Sequence, residues 1–242
     1  MTDLFISDLH LSPQRPDLTR AFCHFLNTKA RHAEHLYILG DLVEAWIGDD
    51  DPSPLARELV SALATLTANG TGLYFQHGNR DFLIGKRFAK ETGAVLLGEY
   101  HRIATTNGNL LICHGDTLCT DDHAYQRFRR RIRHPITRWC LRHLPLSKRQ
   151  QIARDWREKS QLANSNKAAN IMDVNPQSVD DIMTSFQVST LLHGHTHRPA
   201  THDVTRGKRV VLGDWDQDAW YATLDDGRLE LHKTALSTQT QP

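Results

Sequence analysis

Five times along this chain, an apolar run short enough to form one β-strand stops at a word made of glycine, carboxylate, amide or imidazole. The words are Asp8-Leu9-His10, Gly40-Asp41, Gly78-Asn79, His114-Gly115 and Gly194-His195-Thr196-His197. Thr2 to Ser7, Leu36 to Leu39, Leu73 to Gln76, Asn109 to Cys113 and Val188 to Leu192 are the runs that lead into them. In α/β sheets ligands collect beyond the carboxyl ends of strands, where an Asp and a His at i and i+2 can both face one crevice. A lone imidazole or carboxylate is more often structural than functional. Five strand ends that each offer a ligand limit the chain to folds that gather those ends in one place.

The segments between the first words are helical. Leu18, Phe22, Phe25 and Leu26 mark a helix over Asp17 to Ala33 with Pro16 as its start signal, and Pro54 to Ala68 is a second helix stopped by Asn69-Gly70. A third helix runs to Lys90, so strand, helix and strand alternate as in a largely parallel βαβ sheet. From Val95 the texture is β-rich. Asn107-Gly108 predicts a hairpin between Tyr100 to Thr105 and Asn109 to Cys113. Val210 to Leu212, Trp220 to Leu224 and Arg228 to His232 continue a late sheet expected to be antiparallel. The fold class is therefore α/β, a four-layer αββα sandwich with a helical lid insertion. Residues 1–120 and 171–236 are expected to form the core, 121–170 the lid, and 237–242 a polar, disordered tail.

The candidate ligands are Asp8, His10, Asp41, Asn79, His114, His195 and His197. Seven are too many for one ion and suit two ions sharing a carboxylate. Two divalent ions bring four positive charges and Asp8 and Asp41 remove two, which leaves a site able to hold a phosphate ester or anhydride. Oxygen and imidazole ligands without thiolate fit Mn²⁺, Fe²⁺ or Zn²⁺. Ions roughly 3.5 to 4 Å apart can activate water and clamp phosphoryl oxygens. Asp49 to Asp51 read as a solvated acidic loop, and His24, His32, His35 and His143 as solvent-facing.

In this order the five words resemble the blocks of the calcineurin-like metallophosphoesterase superfamily. The resemblance implies that Asp41 bridges two metals, with Asp8, His10 and His197 on one and Asn79, His114 and His195 on the other. Many members follow Gly-Asn with a His that can protonate the leaving group, whereas this chain has Arg80. Arginine, with a pKa above about 12, cannot act as a general acid. It can hold phosphate oxygens bidentately, which suits a phosphate leaving group and a pyrophosphate bond. The structural alternative for Arg80 is a pair with Asp81.

Net charge is +1, so any anionic partner must meet a local patch. Residues 121–167 supply it, with thirteen Lys or Arg against four Asp or Glu. Phe128, Ile132, Ile136, Trp139, Ile152 and Trp156 recur there at helical spacing, broken at Pro135 and Pro145. The segment reads either as a solvated cap or as a lid whose basic face meets phosphate or headgroups and whose apolar face meets acyl chains. Aromatic and basic residues are not interleaved, so a nucleic-acid partner is not expected. No obligate protein partner is inferred. The four cysteines form no C-x-x-C pair and are expected to be free thiols in a reducing cytosol. No secretion signal is read at the N-terminus, and no apolar run approaches the ~18 to 20 residues of a membrane span.

The longer words Gly40 to Asp51, His77 to Gly85, His114 to Arg129 and Asn166 to Val174 resemble the branch of the superfamily that acts on UDP-2,3-diacylglucosamine in lipid A biosynthesis. That resemblance implies a Mn²⁺ enzyme peripheral to the cytoplasmic face of the inner membrane. Water activated by two metals would attack the uridylyl phosphorus, releasing UMP and the lipid 1-phosphate. Asn79, Arg80, Asp122, Ser160, Asn164, Lys167 and His195 would contact the substrate, with Arg80, His195 and Asp41 carrying catalysis. A soluble nucleotide-sugar or phosphodiester hydrolase with a basic cap, and a non-catalytic scaffold, are the alternatives.

Overall fold

The computed structural model describes residues 2–165 and 173–236, the side chains of 161–165 excepted. Strands β1 (Asp3–Ile6), β2 (His35–Ile38), β3 (Gly72–Phe75) and β4 (Val95–Leu96) pair in parallel. Helices α1 (Pro16–Thr28), α2 (Pro54–Ala68) and α3 (Lys86–Thr92) form the crossovers. Pro16 is inside the first turn of α1, where a missing N–H costs nothing. That helix stops at Thr28, short of the expected Ala33, and Ala30–His32 form a separate 3₁₀ turn. Ser53 caps α2 by accepting from the Ala56 N–H at 3.3 Å.

β5 (Tyr100–Thr105) and β6 (Gly108–Cys113) make the expected hairpin. β7 (Thr190–His193), β8 (Ala200–Val204) and β9 (Gly207–Val211) complete a second sheet in the order β5-β6-β7-β9-β8. This sheet is mixed, not antiparallel as expected, because β6, β7 and β9 run parallel through its middle. The runs of β6 and β7, and the Val210-Val211 end of β9, are buried on both faces, the condition under which parallel pairing is found. β10 (Asp218–Asp225) and β11 (Arg228–Ala235) return to the first sheet beside β1, giving the order β11-β10-β1-β2-β3-β4.

Alternation along the strands builds the layers. Phe5, Tyr37, Leu110, Ile112, Leu192 and Val210 point between the sheets and form one core. Leu4, Ile6, Leu36 and Ile38 point the other way onto α1 and α2. Leu111, Cys113 and Leu191 pack on α7 (Pro176–Ser185), a helix not expected from the sequence. The result is the expected αββα sandwich, with the five strand ends that carry the candidate residues on one rim.

Between the sixth strand and α7 lie α4 (His123–Ile132), α5 (Pro135–His143) and α6 (Leu146–Ser165). Pro135 opens α5 and Pro145 immediately precedes α6, so both prolines break the segment as read. The proposed disorder of 237–242 lies outside the described residues. The four cysteines form no disulfide among the described residues, and Cys113 and Cys119 are buried.

Candidate metal centre

The chain past β1 and β2 stays paired beyond the sheet. The His10 N–H donates to the Asp41 carbonyl at 3.0 Å, the Leu11 N–H to Leu42 at 3.1 Å and the Glu44 N–H to Leu11 at 3.0 Å. Leu9, Leu11, Leu42 and Val43 are buried, which holds this extension down and turns the polar residues between them to the rim. Loop approach is close enough to require glycine. A Cβ on Gly78 would collide with the Asp41 backbone and carboxylate, and one on Gly194 with Ser7 and the Asp8 carboxylate.

Among the described residues seven non-glycine residues have positive φ, and five of them belong to the candidate set: Asp8 (55°), His10 (48°), Asp41 (54°), His195 (68°) and His197 (53°). Each such conformation costs roughly 1–3 kcal/mol and persists where surrounding structure enforces it, a feature of functional sites. Here the enforcement is visible. Asp8 Oδ2 accepts the His195 N–H at 2.8 Å, and Asp41 Oδ1 accepts the Arg80 N–H at 2.8 Å.

All seven residues converge, in two groups joined at Asp41. His10 Nε2 and His197 Nε2 face each other at 3.3 Å, and Asp8 Oδ1 lies 3.3 Å from the latter and 4.0 Å from the former. His114 Nε2 is 3.1 Å from Asn79 Oδ1, and the His114 and His195 rings are 5.0 Å apart. Asp41 Oδ2 stands between, 3.9 Å from His10 Nε2 and 3.8 Å from His114 Nε2.

The donor set fits cations. Asp8 Oδ1 is buried without a hydrogen-bond partner among the described residues, a state that costs about 1–3 kcal/mol unless something positive faces it. His114 Nδ1–H donates to the Leu39 carbonyl at 2.8 Å, which leaves Nε2, 3.1 Å from Asn79 Oδ1, as the nitrogen facing the site; a cation that displaced the Nε2 proton would be held by both atoms. Burial alone would raise the Asp8 carboxyl, yet His197, 3.3 Å away, with the charges of His114 and His10, holds it well below the usual carboxylate range. Burial opposes a proton on His197, but Asp214 and Asp8 raise it to about 10. His195 is pushed down to about 4 by burial and by His114, and so is a neutral imidazole near pH 7.

Several functional neighbours were not read from the sequence. Glu44 lies 3.5 Å behind His10 Nδ1 and Asp214 3.4 Å behind His197 Nδ1, so each candidate imidazole has a carboxylate on the side away from the site. The charge count on Asp8 and Asp41 alone is therefore incomplete. Asp214 did carry a signal, since Leu212-Gly213-Asp214 repeats the strand-glycine-carboxylate pattern. Asp81 does not pair with Arg80. Its two oxygens accept the Gly78 and Leu42 N–H groups at 2.7 and 2.9 Å, lacing the second and third words together, and burial beside Asp41 raises it above the usual carboxylate range. Arg80 instead lies 3.8 Å from Glu44, and its buried Nε has no partner among the described residues.

Asp49 to Asp51 are structural, not a solvated loop. Asp49 accepts N–H groups of Gly85, Arg87 and Phe88 at the start of α3, Asp50 pairs with Arg149, and Asp51 accepts from Ser53. His35 is half-buried against Asp3 at 2.8 Å, while His24, His32 and His143 are exposed.

A cavity of about 720 Å³, bounded on the site side by His10, Asp41, Asn79, His195 and His197, opens under α4 and α6. Asn79, Arg80, Asp122, Ser160 and His195 line it. Asp122 also caps α4, accepting the Tyr125 N–H at 3.0 Å. The side chain of Asn164 and all of Lys167 lie outside the described residues. The insertion's apolar residues divide. Ile132, Ile152 and Trp156 face the cavity, whereas Ile136 (66% exposed) and Trp139 (61%) face outward on α5.

Residues 1–199 match the calcineurin-like phosphoesterase family, and the chain belongs to it. It is a metallophosphoesterase, a hydrolase whose family works with divalent metal ions. Its sequence is 51% identical to UDP-2,3-diacylglucosamine hydrolase of Tolumonas auensis, over 98% of this chain and 99% of that one. Proteins of the same name from Azotobacter vinelandii and Pseudomonas aeruginosa are each 50% identical, over 93% of this chain and 95% of theirs. An archaeal phosphodiesterase of solved structure shares the fold, with a TM-score of 0.50 at 13% identity over 97% of this chain and 99% of that one. Among the described residues no helix is long and apolar enough to cross a membrane.

Proposed function

We propose that this chain hydrolyses the pyrophosphate of UDP-2,3-diacylglucosamine to UMP and 2,3-diacylglucosamine 1-phosphate. One observation carries the reading beyond the relatives' names. A single cavity joins Asp41, Asn79 and Arg80 at one end to apolar walls of Trp46, Phe82, Phe128, Ile132 and Trp156, so that anhydride and acyl chain fit together.

Asp8, His10 and His197 would hold one divalent ion, Asn79, His114 and His195 the other, and Asp41 both; Mn²⁺ suits these oxygen and nitrogen donors. Bound ions would supply Lewis acidity toward the phosphoryl oxygens and toward water. The chain's own residues do the rest. With its Nε unpartnered among the described residues, the Arg80 guanidinium can take up oxygens of the departing phosphate. A phosphate leaves as a stable anion, so no side chain has to deliver a proton to it. His195, neutral in its buried setting, offers a lone pair rather than an acid proton. Apolar walls around the acyl chains exclude water and fix the anhydride for in-line attack at the uridylyl phosphorus.

In this reading residues 121–170 are a lid. Arg127, Arg130, Arg131 and His134 line a hollow of about 420 Å³ on its outer side, near the exposed Ile136 and Trp139. That combination supports peripheral contact with an anionic membrane surface, at the cytoplasmic face of the inner membrane. The decisive experiment is incubation with UDP-2,3-diacylglucosamine and Mn²⁺, reading UMP release, with EDTA and a delipidated UDP-sugar as controls. Faster turnover of the delipidated sugar would overturn the lipid assignment.

A further inference from the structure

We propose that Glu44 is a positioning residue through which one carboxylate places a metal ligand, the phosphate-facing arginine and the lid helix. The proposal rests on the reading that Asp8, His10 and His197 hold an ion. Glu44 Oε2 is 3.5 Å from His10 Nδ1. Its Oε1 is 3.0 Å from Arg157 Nε on α6 and 3.8 Å from Arg80 Nη1. These three partners come from the β1 end, the β3 end and the lid.

Backbone pairing fixes the arrangement. Because the Glu44 N–H donates to Leu11 and the His10 N–H to Asp41, Glu44 and His10 stand side by side on two parallel extensions. The Trp46 N–H donates to the Arg80 carbonyl at 3.0 Å, which brings Arg80 to the same carboxylate. His10 Nδ1 is buried and makes no hydrogen bond among the described residues, and the Glu44 carboxylate 3.5 Å away is the group placed to accept its N–H and leave Nε2 for the site.

Arg80 and Arg157 would repel each other over the mouth of the cavity without a negative group between them. Glu44 supplies that group at two different distances. Arg157 is near enough to hydrogen-bond, which ties α6 down. Arg80 is not, which leaves it able to move to a substrate phosphate without breaking a formed bond.

The test is metal binding by the metal-free protein together with steady-state kinetics. Glu44→Gln should weaken Mn²⁺ binding about 10- to 100-fold and raise KM for the lipid substrate several-fold more than it lowers kcat. Arg157→Ala should raise KM while leaving Mn²⁺ affinity at the wild-type value, and should add little further KM increase in the Glu44→Gln background. Wild-type Mn²⁺ affinity in Glu44→Gln, or KM effects of the two substitutions that simply multiply, would overturn the proposal. Should Glu44→Gln not fold, Glu44→Asp keeps the charge but retracts it by one methylene. It is expected to show both effects at smaller size, and neither effect would count against the idea. His10→Ala separates the two levels of inference. If it leaves Mn²⁺ affinity unchanged, the metal assignment itself fails; if it weakens binding and Glu44→Gln does not, only the role of Glu44 fails.

Discussion

The strand-end loops and the helical segment α4 to α6 face each other across one cavity and are built by different means. The loops are held by strained backbone and buried carboxylates, five ligand candidates sitting at positive φ. The helices are held by arginines. Arg129 and Arg133 converge on buried Asp116, which also accepts the Tyr125 hydroxyl at 2.9 Å. Arg133 also reaches the Gly78 carbonyl at 2.8 Å, Arg142 those of Leu83 and Ile84 at 3.2 Å, and Arg149 that of Ile47 at 2.8 Å. Much of the segment's basic character is therefore spent on attachment to the core, and only part of it faces solvent or the cavity. A site preset by strain cannot adjust, whereas a cover attached by long side chains can shift without unfolding the sheets.

Disturbing the loops should have the largest effect. His10→Ala is expected to lower turnover by more than about 100-fold, beyond what loss of an outer carboxylate does, with an unfolding midpoint close to wild type. Unchanged turnover would remove His10 from the ligand set. Arg80→Ala comes next. It should slow pyrophosphate cleavage by roughly 10²-fold but an aryl phosphodiester far less, and equal losses on both substrates would sink the leaving-group argument.

On the helical side, Asp116→Ala strands Arg129 and Arg133 and should cost about 3 kcal/mol in urea unfolding, with KM rising more than kcat falls. A neutral result would mean that the helical segment is anchored elsewhere. A pH series compares the two regions directly. Burial depresses His77, beneath the helical arginines, to about 4 and His193, beneath the loops, to about 3. Against an unfolded value near ~6.5, the unfolded chain binds more protons in this window, so stability must fall as pH drops from about 6.5 toward 4 and 3. His77→Gln should flatten the upper part of that slope; an unaltered slope would show that His77 is not its source. The smallest effect is expected from Trp139→Ala, within about 0.5 kcal/mol in stability and without change on a delipidated substrate. Its binding to anionic vesicles should drop, and wild-type binding would move the membrane contact off α5.

The same contrast sets how much was legible in the sequence. Three crossover helices, the Asn107-Gly108 hairpin and all seven ligand candidates could be read, because periodicity, turn residues and strand ends are written within about ten residues of one another. The course of the late strands could not. β10 and β11 look like a continuation of the second sheet, yet they pair with β1, and nothing local states which edge a strand will join. Asp49 looked solvated for a similar reason, since the α3 N–H groups it caps lie well over thirty residues away.

What the sequence alone determined is the inventory: oxygen and imidazole ligands at strand ends, an arginine after Gly-Asn, and a basic, apolar insertion broken by two prolines. Tertiary structure decided which of these groups meet. Only folding brings the His195 N–H to Asp8, Arg133 to the Gly78 carbonyl, and Glu44 among His10, Arg80 and Arg157. The physical reason is range. Helix and turn preferences act between neighbours in the chain, but a buried carboxylate chooses its partners by proximity in space, and that choice exists only once both sheets have closed on their common core.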